Sequence, residues 1–241
     1  MDDEKKKITE NKIADTLIER PKGFAVGKRH FYLYPLTLGK AVLLKPYTEA
    51  LKVNMEVMES NPFVEALRLV ETKKRDVCLI LSYHTMKSKD EVFDNEKVGK
   101  TTDYLYNNTD DEDLASLFLA VLTSDNTKKI SSFLGIEKES DRLRQVIKAK
   151  QSKNDFSFGG LSLYGTILDF ACERYKWTKD YVMWGISYTN LQLMIADRMQ
   201  SVYLTDEEKR RVSPALLHAQ GQTVNMDDPK NKDAYKKMDW R

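Results

Sequence analysis

The chain is short of the residues that carry most protein chemistry. It holds two cysteines and three histidines in 241 residues. Cys78 and Cys172 lie inside helical, apolar patterns rather than in a CxxC or a Cys/His cluster. They are expected to be reduced and buried, and a metal site has no ligand set. His30, His84 and His218 are scattered, without the HExxH or HxH spacing that would bring two imidazoles onto one ion. Each is expected at the surface or at a helix end. No GxSxG occurs, and no serine or cysteine has an identifiable base partner, so nucleophilic catalysis lacks a constellation. The expected catalytic, cofactor and metal residues are therefore none, and the chain reads as a non-enzyme.

Long apolar runs are missing too. None approaches the roughly 20 residues that cross a bilayer. The start, MDDEKKKITENK, has no apolar segment of the signal-peptide kind, so the expected address is cytoplasmic. Nor is there a charge excess: 39 basic against 37 acidic residues leaves +2, too little for a nucleic-acid footprint. The best basic stretch, residues 128–153, carries eight basic and three acidic side chains, including Arg142, Arg144, Lys148, Lys150 and Lys153. It has no interleaved aromatics for stacking bases, so a solvated helix face is the default reading.

What the sequence does have is patterning. Phe24 to Val26 and His30 to Leu36 are aromatic-rich and flank Gly27-Lys28, which predicts a small β-hairpin. From Thr37 onward the periodicity is helical. Pro46 is expected to break or kink the first run. Asn61-Pro62 is a strong helix start, with Phe63, Leu67, Val70, Val77 and Leu81 on one stripe toward Thr85. Residues 88–108 look like a long connection. Thr109 and Glu112 have capping-box spacing before LASLFLAVL. Gly135 suits the left-handed end of a helix closing at Phe133-Leu134. Residues 137–151 form a charged helix with a narrow seam, and Pro214 is expected to stop a ragged helix after Leu204.

Residues 156–204 are the densest in information. Gly159-Gly160 precede a helix that Ser162 can cap, and the absence of a P-loop Lys-Ser/Thr makes a plain turn the better reading. Asp169 and Glu173, one helical turn apart, read as a solvated edge. Thr178 caps a corner carrying Trp177, Tyr181 and Trp184, with both tryptophans expected to pack between two long helices at 162–176 and 187–203. The expected fold is mainly α: a small N-terminal β-hairpin, a multi-helix bundle and a disordered C-terminal tail. The expected divisions are an arm at 1–22, a hairpin plus helical body at 23–155, a helical pair with a Trp corner at 156–218, and the tail at 219–241.

Two segments, FAVGKRHFYLYPLTLGKAVLL and YGTILDFACERYKWTKDYVMWGISYTNLQLMIADRM, resemble tail assembly chaperones of tailed bacteriophages, of the Bacteroides phage or prophage type. The first matches a strand pair that ends in a "pLTLG" helix entry. The second matches a late helical segment with a Trp-Thr corner and a Leu- and Met-rich helix. Together they cover about a third of the chain. The resemblance implies a helical assembly factor of the infected cell's cytoplasm. It would bind the tape measure protein, help recruit tail-tube subunits, and be absent from the finished virion. Tyr181, Tyr188, Leu191, Met194, Ile195 and Met199 are the expected partner-binding side chains, because aromatics and thioethers make adaptable contacts. Nine methionines, five of them at 55, 58, 183, 194 and 199, fit that use. A structural tail or connector protein is the first alternative, and a nucleic-acid-binding regulator using Arg142 to Lys153 is the second.

Overall fold

A computed structural model describes residues 2–124, 127–148, 162–197 and 204–217. Their chain is mainly helical, with one two-stranded antiparallel hairpin near the N-terminus. It divides into two compact units. Residues through 130 belong with 162–197, and the described parts of 131–148 and 204–217 belong together.

In the first unit, helix α1 (Asp2–Leu17) ends at Glu19, which takes a left-handed conformation. The hairpin follows, β1 (Lys22–Val26) and β2 (Arg29–Leu33), paired Val26 to Arg29 across the two-residue turn Gly27-Lys28. Gly27 has φ +55, which only glycine adopts freely, so the turn falls where a Gly-first loop requires it. The period-2 pattern puts Phe24, Val26, Phe31 and Leu33 on one face, against the core. Phe24 and Phe31 face each other across the strands, their ring centroids 5.5 Å apart.

Helix α2 (Leu38–Leu51) is capped by Thr37, whose side chain accepts from the Lys40 N–H. It continues through Pro46 without the break that residue could have made. The carbonyl that Pro46 leaves unbonded is that of Val42, which is half exposed (53 %), so water can serve it. Lys52 in a left-handed conformation then ends the helix, and α3 (Met55–Ser60) is a separate short turn capped by Asn54.

Helix α4 (Pro62–Thr85) is the axis of this unit. Asn61 caps it and Pro62 opens it, as the sequence predicts. Leu69, Val70, Val77, Cys78 and Leu81 are fully enclosed, while Phe63 at the open first turn stays 37 % exposed. Around α4 pack α2, the hairpin, α6 (Asn95–Asn108) and α7 (Asp111–Leu122). Residues 88–108 are thus helical rather than a connection. Ser88 and Glu91 form a reciprocal capping box that starts α5 (Lys89–Phe93), and Asp94 caps α6. The cap of α7 is Asp110, not Thr109: the Asp110 carboxylate accepts from the Asp113 N–H, and aspartate is a stronger cap than threonine.

Helix α8 (Thr127–Phe133) and α9 (Ile136–Lys148) follow, with Gly135 at φ +75 between them, as expected. Three helices complete residues 162–197: α10 (Leu163–Tyr175), α11 (Lys179–Trp184) and α12 (Tyr188–Ala196), capped by Ser162, Thr178 and Ser187. The corner expected between two helices is therefore itself a short helix. In the second unit, α13 (Asp206–Lys209) and α14 (Pro214–Leu217) accompany α9. Pro214 opens a helical turn there instead of stopping one, because a first-turn position needs no N–H. The expectations for Gly159-Gly160 and for the C-terminal tail lie outside the described residues.

Candidate functional site: an aromatic ridge over a docked helical segment

The two segments that carry the family resemblance lie far apart in sequence and meet in space. The link begins on the backbone: Leu36 O accepts from the Tyr188 N–H at 2.7 Å, and Thr37 and Ser187 form an antiparallel bridge. Leu38, the first residue of α2, is buried among Ile167, Ala171, Val182, Ile186 and Leu191. Thus the helix entry of the first segment fills the centre of the second. At Gly39 the contact is so close that a Cβ would lie 2.7 Å from the Trp184 ring. Glycine is required there by approach, not by φ.

Polar groups fix the same junction. Glu19 Oε1 accepts from the Ser187 N–H at 2.8 Å and from Asn190 Nδ2 at 2.9 Å, and Asn190 Nδ2 also donates to Leu17 O. Glu19 therefore occupies the α12 N-terminus, where the helix dipole favours a carboxylate. Lys89 of α5 pairs with Asp180 of α11 at 2.5 Å across the exposed rim. Tyr175 of α10 donates to Met194 O of α12, closing the segment on itself.

Above the junction runs an aromatic ridge. Tyr175, Trp177 and Tyr181 follow one another at centroid distances of 4.8 and 5.0 Å, and Phe93 of α5 meets Trp184 edge-on at 5.5 Å. Phe93 is 57 % and Tyr181 44 % exposed, while Trp177 and Trp184 are half-buried. Trp184 packs toward α2 and α5 rather than into a corner between two long helices, because Gly39 leaves room for its ring. Trp177 does pack with the α10–α12 cluster.

Of the six expected partner-binding residues, Tyr181 is exposed on this ridge. Tyr188, Met194 and Ile195 are half-buried against the cluster. Leu191 is completely enclosed and offers no surface, since its position on α12 faces Leu38 and Ala171. Met199 lies outside the described residues. The sequence reading missed Phe93, although the Ser88-x-x-Glu91 box that positions it is visible in the chain.

Two buried basic side chains, Lys40 of α2 and His84 of α4, lie side by side in the first unit, a placement that the sequence reading also missed. Lys40 is 2 % exposed and donates through Nζ to Met86 O. Burial pushes its pKa down to about 8, partly opposed by the Glu91 carboxylate. His84 stands in the last turn of α4, the helix end expected of it, but is buried there, and its carbonyl accepts from the Tyr34 N–H at 2.8 Å. Burial first, then the Lys40 charge, lowers its pKa to about 4, so it is neutral near pH 7. His84 continues the stripe Val77, Leu81 at helical spacing, which is the signal that could have placed it inside.

The remaining charged candidates are tied up in structure. Glu65, with no exposed side-chain surface, accepts both Arg68 nitrogens and the Asn54 N–H, and the Arg68 bonds chiefly hold its pKa below the ordinary carboxylate value. In the second unit, Arg142 grips Glu139 with two nitrogens and donates to Leu216 O, and Arg144 pairs with Asp141. These two arginines of the basic stretch are thus engaged within their own unit, and Lys150 and Lys153 lie outside the described residues. Asp169 and Glu173 are exposed on α10. Among the described residues, no group of three or more His, Cys, Asp and Glu is placed to hold a metal ion, and no helix is long and apolar enough to cross a membrane. No family model, curated protein or solved structure matches the chain.

Proposed function

We propose that the protein is a non-enzymatic tail assembly chaperone of a tailed bacteriophage of the Bacteroides phage or prophage type. In this reading it acts in the host cytoplasm, binds the tape measure protein and helps recruit tail-tube subunits. The observation that carries the proposal is the two ring pairs Phe93–Trp184 and Trp177–Tyr181, brought to one side of α11 by the three-residue spacing of Tyr181 and Trp184, and standing partly in solvent at the junction of the two segments that resemble that family. Aromatic side chains clustered at a surface gain contact area at low entropic cost and dominate binding hot spots. A partner helix with anchors at i, i+3, i+4 and i+7 could lay its apolar face along such a ridge. The contact set proposed here shifts from α12 toward α11 and α5: Tyr181 and Phe93 lead, and Tyr188, Met194 and Ile195 contribute their open edges.

Co-expression with a tape measure protein encoded beside this chain tests the reading. The expected result is a soluble complex that survives size exclusion at moderate salt, because apolar anchoring is little screened. An insoluble tape measure with no complex would remove the chaperone reading. Peptide mass spectra of purified virions separate the roles further: a chaperone is absent from them, and a structural tail protein is present.

A further inference from the structure

A second surface of the first unit, away from any use made of it above, has the features of a peptide site. In the hairpin register, Val26 and Arg29 close the two-residue turn, so they exchange the narrow pair of ladder bonds. The alternation then gives the same bonds to Phe24–Phe31 and Lys22–Leu33. Gly23 and Ala25 consequently point their N–H and C=O groups out of the sheet. Both residues are exposed, and among the described residues no hydrogen bond reaches those groups. Strand β1 is therefore an open edge, and open edges are templates for another strand.

Beside this edge lies a cleft of about 240 Å³, with residues 25–27 as one wall and Asn108, Thr109, Asp113 and Ser116 on the other. Its polar lining carries one carboxylate, Asp113, and the amide and hydroxyl side chains of Asn108, Thr109 and Ser116. Thr109 is only 9 % exposed, and its Oγ1 has no hydrogen-bond partner. A buried hydroxyl in that state calls for an explanation, since nearly all such groups are satisfied. Asn108 spends its amide nitrogen on Tyr104 O, leaving Oδ1. Asp113 uses its backbone N–H on the Asp110 cap, while its carboxylate makes no ion pair among the described residues. Among the described residues Lys74 reaches this loop, where it is committed to Asp111 and to Thr109 O.

We propose that the β1 edge and this acidic cleft together form a docking site for an extended peptide segment that carries a lysine or arginine. The segment pairs its backbone with Gly23 and Ala25, and its cationic side chain enters the cleft toward Asp113 and Asn108 Oδ1. Strand addition supplies the backbone bonds, and the pocket for one side chain supplies the selectivity. Size favours a side chain over a free cofactor, because small-molecule pockets run from roughly 300 to 1,000 Å³. Charge favours a cation, since the cleft's one charged lining residue is Asp113, whose carboxylate makes no ion pair among the described residues.

The test is a titration of the full chain with a labelled, end-blocked peptide of alternating threonine and valine with one central lysine, read by fluorescence polarisation. Saturable binding is expected. Replacing the lysine by glutamate in the peptide, or Asp113→Asn in the protein, should weaken it by about fivefold, the yield of one half-exposed ion pair. Ala25→Pro should abolish binding while leaving the circular dichroism unchanged, because a proline whose missing N–H faces outward is tolerated on an edge strand. Should Ala25→Pro unfold the protein, N-methylation of the peptide backbone makes the same test on the unaltered chain. The proposal fails if the lysine and glutamate peptides bind alike, if N-methylation has no effect, or if no saturable binding occurs up to millimolar peptide. It also fails if the chain self-associates through this edge, seen as a dimer that Ala25→Pro dissolves and the peptide does not displace.

Discussion

The α4-centred core and the cluster formed by residues 162–197 are built from similar residues but differ in enclosure. Around α4, Leu69, Val70, Val77, Cys78, Leu81, Leu105, Leu114 and Ala115 lose all their accessible surface. In the other cluster only Ala171, Val182 and Leu191 do so, and the aromatics that surround them keep an edge in water. A closed core fixes a fold and offers a partner nothing. A core left half open, seated on Leu38 and Gly39, is held in place and still presents aromatic surface. The difference separates stability, which resides around α4, from recognition, which the proposed function places over α11 and α5.

The sharpest way to break this comparison is a pair of matched truncations. Leu81→Ala should cost about 3–5 kcal/mol, as deep core cavities do, and lower the urea midpoint of the whole first unit. Leu191→Ala should cost about 2–3 kcal/mol and release chiefly the amides of residues 162–197 to hydrogen exchange. If both variants expose the same amides at the same denaturant concentration, the two clusters are one cooperative body and the contrast is lost.

Acid should act on the α4 side. The folded His84 binds its proton only near pH 4, whereas an unfolded histidine binds near 6.5. Between those values the unfolded chain holds more protons, so stability is full above pH 6.5 and falls as pH drops toward 4. The full shift corresponds to about 3 kcal/mol. Glu65 and Glu91, held below their ordinary values, lose their contributions only under more acidic conditions, so the range from pH 6.5 to 5 isolates the histidine. Urea midpoints at pH 5 and 7 should differ for the parent and nearly coincide for His84→Gln. Equal slopes in both proteins would show that this imidazole does not carry the dependence.

Gly39→Ala probes the seat between the regions. Its methyl group would meet the rigid Trp184 ring at 2.7 Å, so the ring or the helix entry must move, at about 1–3 kcal/mol. Exchange should accelerate in α11 and α12 and stay unchanged in α4. Combining Gly39→Ala with Trp184→Leu should recover part of the loss, since the obstructing ring is gone. A double variant no better than the single one would mean that the clash is relieved elsewhere.

How much of this was readable in the sequence follows the reach of each signal. Local signals held: the two-residue turn at Gly27, the Asn61-Pro62 start, the caps at Ser162 and Thr178, and the left-handed Gly135 are all as the residues imply. Where two local signals competed, tertiary context decided between them. Pro46 lost to a helix whose proline side faces water, and Thr109 lost its capping role to the stronger cap beside it, Asp110. The docking of Leu38 into the α10–α12 cluster was not readable, because no periodicity in either segment names the other. Leu191 shows the same limit: a helical apolar stripe identifies a face to be covered but not what covers it. Covered by the chain itself, that stripe leaves Tyr181 and Phe93 as exposed aromatics, the latter in a stretch that reads as a connection.

The smallest expected effect on stability is also the most telling for function. Phe93 and Tyr181 are 57 % and 44 % exposed, and each makes an edge contact with a tryptophan, Trp184 and Trp177 respectively. Such contacts are worth about 0.5–1.5 kcal/mol, and removing a largely solvated ring adds little to that. Phe93→Ser with Tyr181→Ser should therefore shift the unfolding midpoint only slightly and leave exchange in α4 untouched. If the ridge is the surface that holds the tape measure, the same double variant should fail to retain it in solution on co-expression, a loss of tenfold or more in affinity on the order expected of two hot-spot rings. The proposed peptide edge at β1 supplies the matching control: Ala25→Pro should leave tape-measure capture intact. A double variant that is both stable and fully active in capture would move the recognition surface elsewhere, to the exposed first turn of α10 at Leu163 and Tyr164.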